Sequence, residues 1–556
     1  MNKEKIKQIL LIIALLILTI IFFSYNIVIS VDSSHYCWLT SLLESREAFT
    51  HWDVARGIVF PSIIYILTKI FGENVVSLQI GMYIAYAMML VVCYLIYRNI
   101  DKEHKIDKPL KIILFVLFIL AVVLNPLIFG YYHVLLTEFV AMTACIVASY
   151  LAWKWIEVKF YENKFKYIAY TIYFAISMAF MWHLKQPYMF TILIPFAISL
   201  ILSFIKEFNW KNVLQRVVSL CVCLITLFVS IKVWDFSLDK LSVNINKNRT
   251  SSSILSDQIL SGMSEYFPIS DEQQYTKESI EENPKISTED KEKILSILNG
   301  ENEEYKNFLL IECAPYRELD KSQEIKVIYM KEDDLSLGES LGFLVSTFID
   351  NPMSIIKGYI NDYLTTISFY RATTVGVNGV VTKEISLSGT YENAYFAYNI
   401  YKEISNNLSN PEYYSEYIGN YTGINRPIKI VNMFISSISQ LAVYSFKAFL
   451  LIVPILFLAS FIIFIILRVK KKDSKKIRIY ELLTILYGYS FLNVLMYSML
   501  GGLIDRYAIS SYLAVNVAIL IHFTYIVIMI RNKIRSKSKK EEEKKIQENE
   551  RIGEKI

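Results

Sequence analysis

Long apolar runs that recur along the chain constrain its fold more than any other feature. They cover residues 9–30, 75–97, 110–130, 133–153, 167–183, 188–205, 214–234, 446–467, 479–500 and 508–530. Each is about 20 residues long, which is the length that an α-helix needs to cross the hydrocarbon core of a bilayer. With 54% hydrophobic and only 20% charged residues, the composition excludes an ordinary soluble protein. We therefore predict a mainly α, polytopic membrane protein with about ten transmembrane helices.

The charges between the runs predict the orientation, because short cytoplasmic loops hold an excess of Lys and Arg. The basic loops carry Arg98, Lys102, Lys105, Lys108, Lys111, Lys154, Lys159, Lys164, Lys166, Lys206, Lys211, Arg216, Arg468, Lys470, Lys471, Lys472, Lys475, Lys476 and Arg478. The alternate short loops hold no cation near Tyr131, only Lys185 in the next loop and only Arg506 in the last. We predict a plasma membrane protein with both termini in the cytoplasm.

Two stretches are too long and too polar to be simple turns, and both fall on the predicted outer side. The first contains two segments that we expect to lie along the membrane interface as helices. The second contains helix start signals such as Ser287-Thr288-Glu289-Asp290, which predict a folded domain. The predicted organisation is a seven-span module over 1–234 with its first external loop over 31–74, an extracytoplasmic domain over 235–440, a three-span module over 441–530 and a charged cytoplasmic tail over 531–556.

Charge and cysteine usage argue against two further classes of protein. The formal net charge is only +5, which gives a nucleic-acid partner no electrostatic support. Four of the six cysteines lie inside apolar runs, so a disulfide framework is not expected.

Two acidic residues stand at the outer mouth of the predicted spans, where a charge is costly and therefore points to function. Asp32 directly follows the first run, and Glu138 opens the fourth predicted span. Asp32 also fits the N-cap of the helix that follows it. Glu138 also fits a first-turn carboxylate that the helix dipole favours. Neither structural role excludes chemistry.

The order of these residues resembles the C-type glycosyltransferase superfamily, and in particular its protein O-mannosyltransferases and lipid A aminoarabinose transferases. The likeness covers mainly residues 1–205, and its landmarks are Asp32, Arg56, Pro61, Glu138 and Lys185-Gln186-Pro187. Arg506-Tyr507 before the last span is similar to the Arg-Tyr pair that often stands there in the superfamily. The resemblance implies a fold of many membrane helices with a catalytic first external loop.

The resemblance also implies roles for the site residues. Sugar transfer from a polyprenyl-phosphate donor needs a base for the acceptor hydroxyl, and Asp32 is expected to be that base, with Glu138 orienting the acceptor or sharing the role. The leaving group is a phosphate, so cations are needed to bind it. The residues expected to bind carrier phosphate or substrate are Arg56, Lys185, Arg506, His35 and Tyr507. Each cation also fits a side chain that snorkels to the interface.

The chain departs from the superfamily pattern at two positions. Gly57 follows Arg56 where many members have Pro, and Ser33 follows Asp32 where many have a second acidic residue. The sequence therefore predicts no metal ligand set and no certain cofactor, although His35 and three other outer-face histidines keep a divalent metal open.

The function predicted first is transfer of a sugar from a lipid-linked donor to an envelope glycan, lipid or protein outside the membrane, with inversion. The alternatives are a transporter or flippase of lipid-linked saccharides, and a polymerase or ligase that joins whole glycans. A transporter is expected to show inverted repeats and spans broken near the midplane, and neither is clear in this sequence.

Overall fold

The computed structural model describes residues 3–25, 27, 31–53, 56–104, 106–206, 208–243, 428–470, 474–499 and 508–553, with a few isolated positions between 288 and 363. The predicted extracytoplasmic domain over 235–440 therefore lies mostly outside the described residues. Arg506 and Tyr507 also lie outside them, and so does the side chain of Asp32.

The N-terminal module consists of eleven helices among the described residues. They are α1 (Lys3–Phe23), α2 (Val31–Ser41), α3 (Arg46–Phe49), α4 (Val59–Phe71), α5 (Val75–His104), α6 (Lys108–Phe118), α7 (Pro126–Tyr131), α8 (Glu138–Ile156), α9 (Lys164–Leu184), α10 (Phe190–Lys206) and α11 (Trp210–Lys240). Short 3-10 turns cover Leu42–Glu44 and Gln186–Met189, and a π-helical turn covers Ile119–Val123.

The C-terminal module has three long helices: α12 (Lys429–Val469), α13 (Ser474–Met499) and α14 (Ile509–Gly553). At 1.5 Å per residue, the 31 residues of α11 span about 46 Å, which exceeds the thickness of the hydrocarbon core. Both α11 and α12 run past the predicted borders of the 235–440 domain, because each helix extends beyond its apolar run. The described part of the predicted tail continues α14 as helix.

Eight helical segments within the described residues are long and apolar enough to cross a membrane. They are Val75–His104, Glu138–Ile156, Lys164–Leu184, Gln186–Lys206, Trp210–Lys240, Tyr444–Val469, Ser474–Tyr497 and Ile509–Ser536. The mainly helical, multi-pass membrane character predicted from the sequence is confirmed. The count of ten spans stays a prediction, since the first and third predicted spans are not among these eight.

The third predicted span, 110–130, is not one continuous helix. Asn125 accepts hydrogen bonds from the backbone N–H groups of Leu127 and Ile128 and so caps α7. Pro126, in the first turn of α7, has no N–H to continue the preceding helix. Hydropathy alone predicts one span over residues 110–130. The capping Asn followed by Pro divides this run into two helices.

Helices α8, α10, α13 and α14 form the centre of the bundle. In α13, 78% of the span is buried, and in α8 67%, whereas the share is only 17% in α11 and 22% in α12. Gly488 of α13 lets this helix pack closely, since a Cβ there would lie 2.6 Å from Ile198 and 2.7 Å from Phe457. Helices α11 and α12 thus present most of their surface to lipid.

Orientation is testable by cysteine accessibility. We expect Ser252→Cys to react with a membrane-impermeant maleimide from outside the cell, and Ser536→Cys to react only after permeabilisation, because Lys and Arg favour the cytoplasmic side. The unsubstituted chain measures the background labelling of the natural cysteines. Among the described cysteines, only Cys221 is exposed. Labelling of both positions from the same side would contradict this topology.

Candidate functional site

A buried hydrogen bond joins the start of α2 to the segment before α8. The hydroxyl of Ser33 donates to the backbone oxygen of Leu135 at 2.6 Å. Ser33 follows Asp32 directly, and Leu135 precedes Glu138 by three residues. The contact therefore places the backbone of Asp32 beside the entrance to α8, across a sequence separation of about one hundred residues.

An aromatic stack fixes α2 and α4 against α8. The ring of Tyr36 in α2 packs edge-on against Phe60 of α4, with centroids 4.9 Å apart, and Phe60 lies 5.9 Å from Phe139. Helix α4 buries Phe60 and Ile64 on one face and exposes Ile66 and Ile70. This one-sided pattern is typical of a helix that lies between protein and lipid.

The loop before α4 is held against the end of α9. The indole N–H of Trp52 donates to the backbone oxygen of Arg56 at 3.1 Å. Gly57 lies so close to α9 that a Cβ atom there would be only 1.9 Å from the backbone oxygen of His183. Only glycine permits this approach. Arg56 is thereby positioned near the end of α9, where Lys185 follows His183 by two residues.

His35, Asp53 and Arg56 form a half-exposed charged cluster in the first external loop. The Nε2 atom of His35 lies 3.0 Å from Oδ2 of Asp53, and Nε of Arg56 lies 3.9 Å from the same oxygen. About a third of each side chain is exposed: 35%, 33% and 30%. The guanidinium of Arg56 also lies 5.8 Å from the ring centre of Tyr36. The cluster is thus both ordered and open to a ligand.

Asp53 is the residue that the sequence reasoning missed. It supplies a further carboxylate to the loop, although it does not stand beside Asp32 where the superfamily pattern places one. Its signal was the spacing of three residues between Asp53 and Arg56, which in a helical turn brings opposite charges together. That signal is weak because such pairs are frequent on protein surfaces.

Glu138 is buried at the first turn of α8. Its side chain is only 2% exposed, and the hydroxyl of Thr137 donates to Oε2 at 3.3 Å. The N-terminal end of a helix favours a negative charge. A carboxylate that is held in this way and has little contact with solvent suits the orientation of another group.

Lys185 directly follows the last residue of α9. Its backbone is extended, with φ −166° and ψ 124°, and its Nζ lies 5.8 Å from the ring centre of Tyr188. The ring of Tyr188 in turn packs edge-on against Tyr497 of α13 at 6.1 Å. Lys185 therefore lies beside the turn Gln186–Met189, which contacts α13 through Tyr188.

Aromatic side chains from three elements surround the loop. Trp52 stacks on Phe49 at 5.2 Å, and Trp234 of α11 lies 6.3 Å from Trp52 and 6.0 Å from His183. Trp52 and Trp182 are 0% and 2% exposed, so their rings are part of the core.

Within the described residues, no three His, Cys, Asp or Glu side chains lie close enough together to hold a metal ion. Both ring nitrogens of His133 already contact backbone oxygens, those of Phe129 and Phe22, at 2.9 and 3.0 Å. Its ring therefore lies between α1 and α7, and His133 serves the fold.

The structure thus brings together the segments that carry Asp32, Arg56, Glu138 and Lys185, and it places His35 beside Arg56. Arg506 and Tyr507 lie outside the described residues, between the ends of α13 and α14. No family model, curated protein or solved structure matches this chain. Any functional conclusion therefore depends on the site itself.

The close approach of Gly57 to α9 is testable. Gly57→Ala is expected to lower the free energy of unfolding by about 1–3 kcal/mol, because the new methyl group forces the loop away from His183. Gly81→Ala is the matched control, since its Cβ would meet the mobile end of Leu67 rather than backbone. Thermal unfolding of both purified variants compares them, and equal stability would show that the loop does not need glycine.

Proposed function

We propose that this chain is a membrane glycosyltransferase that transfers a sugar from a polyprenyl-phosphate-linked donor to an envelope glycan, lipid or protein on the extracytoplasmic face. The hydrogen bond of 2.6 Å between Ser33 and Leu135 is the observation that carries the proposal, because it brings the acidic segments of Asp32 and Glu138 together. The contact of Gly57 with His183 supports it further, since it adds Arg56 and Lys185 to the same region.

In the proposed reaction, the carboxylate of Asp32 takes the proton of an acceptor hydroxyl as its oxygen attacks the anomeric carbon. The bond from that carbon to the phosphate oxygen breaks, and polyprenyl phosphate leaves with the electron pair. Attack from the side opposite to the phosphate inverts the configuration at the anomeric carbon. Glu138, held by Thr137 and buried, orients the acceptor.

The proposed phosphate ligands are cations that stabilise the charge of the leaving group. Arg56 is held by Asp53 and by the ring of Tyr36, so its position is restricted before a donor binds. Lys185 approaches from the end of α9, and we assign Arg506 and Tyr507 to the same phosphate from the sequence. His35, bonded to Asp53, is assigned to substrate binding.

A transporter of lipid-linked saccharides is the second candidate, and the break between α6 and α7 is the observation that favours it. Interrupted helices often line transport sites. Here, however, two backbone groups at the break are satisfied by protein: the hydroxyl of Tyr86 donates to the backbone oxygen of Val123 at 2.6 Å, and the N–H of Leu124 donates to the backbone oxygen of Ile119. A break closed in this way offers a substrate little to bind.

Transfer is tested with the purified chain in liposomes, a panel of labelled polyprenyl-phosphate sugars and an envelope extract as acceptor. We expect the label to move from the lipid to the acceptor with at least one donor, and polyprenyl phosphate to accumulate in equal amount. Absence of transfer with every donor of the panel would contradict the proposal.

A further inference from the structure

A groove that opens sideways lies at the opposite end of the bundle from the candidate site. Helices α5, α6 and α14 enclose a groove of about 380 Å³. Its volume falls within the range of roughly 300–1,000 Å³ that is usual for small-molecule sites. Its wall is built from Ile96, Tyr97, Leu114, Phe118, Val517 and Ile521. Tyr94 and Phe115 at its edge are 58% and 60% exposed, so the groove opens sideways.

The wall of the groove is mostly apolar, and its polar side chains are those of Cys93, Tyr94, Tyr97, Lys111 and Thr524. The hydroxyl of Thr524 donates to the backbone oxygen of Leu520 at 2.6 Å. Lys111, the one charged residue of the wall, lies 2.6 Å from Asp101 at the end of α5. An occupant must therefore be apolar along most of its length.

Cations stand at one end of this groove. On α14, Val517, Ile521 and Thr524 line the groove, and Arg531 and Arg535 follow them at helical spacing on the same face. Both arginines pair with Asp107, which begins the α6 segment. Among the described residues, the carboxylates paired with Lys111, Arg531 and Arg535 are those of Asp101 and Asp107.

One donor at this end of the groove has no acceptor among the described residues, namely the buried Nε atom of Arg531. Buried donors in folded proteins are normally satisfied. An anionic oxygen at the mouth of the groove would satisfy this N–H and balance the local excess of positive charge.

We propose that this groove binds an anionic phospholipid, whose acyl chain fills the space between α5, α6 and α14 and whose phosphate meets Arg531, Arg535 and Lys111. Basic pockets between membrane helices bind lipid headgroups by the same combination of charge and apolar contact. The site is independent of the proposed sugar transfer, because no residue of it belongs to the first external loop or to the ends of α8 and α9.

The headgroup is tested by titrating the detergent-purified chain with dioleoyl phosphatidylglycerol or dioleoyl phosphatidylcholine and following thermal unfolding. We expect phosphatidylglycerol to raise the Tm more than phosphatidylcholine. Arg531→Gln with Arg535→Gln should weaken its binding about 30-fold, since each cation contributes about a fivefold factor. Lys533→Gln is the matched control, because Lys533 is exposed on another face of α14. Equal effects of the two lipids, or unchanged affinity in the double variant, would overturn the proposal.

The groove itself is tested with two tryptophan variants and with the unsubstituted chain. Leu520→Trp fills the groove and should reduce phosphatidylglycerol binding, whereas Ile526→Trp, at a position 42% exposed, should not. In vesicles of phosphatidylcholine and phosphatidylglycerol, a phosphatidylglycerol with a photoactivatable acyl chain should crosslink to peptides of α5, α6 and α14. Crosslinks as frequent on the lipid-facing helix α11 as on α5, α6 and α14 would overturn the site. This measurement uses the unsubstituted chain, so it holds even if a variant fails to fold.

Discussion

Asp32→Asn is expected to reduce sugar transfer about 100-fold to 10,000-fold and to leave the chain folded and inserted. Asp32 is the second residue of α2 rather than its N-cap. The amide keeps the size of the carboxylate and retains an oxygen that can accept a hydrogen bond in this first turn, so a purely structural role predicts a loss of at most about 1 kcal/mol of stability and unchanged turnover. The catalytic role predicts the loss of the base. Binding of the donor should persist, because Arg56 and Lys185 remain.

The measurement is the initial rate of transfer from a labelled polyprenyl-phosphate sugar, alongside donor binding and thermal unfolding. Glu47→Gln is the matched control, since Glu47 is an exposed carboxylate in the same external loop and the change removes the same charge. Normal turnover by Asp32→Asn would refute its assignment as the base. An equal loss of transfer rate in both variants would indicate that transfer depends on the net charge of the loop and not on Asp32 itself.

Glu481→Gln is expected to lower the free energy of unfolding by about 3–5 kcal/mol, which is the typical cost of removing one partner of a buried ion pair. Glu481 of α13 is fully buried, with Lys206 of α10 at 2.8 Å and Arg478 at 3.0 Å. Those cations are only 24% and 11% exposed, and Arg478 lies 3.3 Å from Glu157 at the end of α8. The network therefore joins α8, α10 and α13, and the neutral amide leaves their cations undercompensated.

Thermal and denaturant unfolding of the purified variant measure this effect. Glu162→Gln is the control, because Glu162 is 58% exposed and pairs with Lys159 at 3.3 Å near the same end of the bundle. An exposed pair contributes about 0–1 kcal/mol at most. A loss of similar size in the two variants would show that the buried network does not hold the helices together.

The apolar runs predicted the membrane helices because length and composition alone decide whether a helix can cross a bilayer. The division of residues 110–130 was missed because Asn125 and Pro126 act through capping and a missing N–H, which a hydropathy average does not register. The lengths of α11 and α12 were missed for a related reason: each helix continues beyond its apolar run into more polar sequence.

The candidate site shows a different limit of sequence reasoning. Asp32 and Glu138 were found because acidic residues are rare at membrane depth. The hydrogen bond that joins their segments links Ser33 to the backbone of Leu135, and no periodic pattern encodes such a contact. Asp53 was passed over because its role depends on where His35 lies once α2 has packed on α4.

The most direct test of the central proposal distinguishes transfer from transport. The purified chain is placed in liposomes, a labelled polyprenyl-phosphate sugar is supplied on one side, and the label is followed both into the acceptor and across the bilayer. We expect a new glycosidic bond in the acceptor and an equal amount of free polyprenyl phosphate, both strongly reduced in Asp32→Asn. Movement of intact labelled lipid to the other leaflet, with no new bond formed, would contradict the proposal and establish the transporter instead.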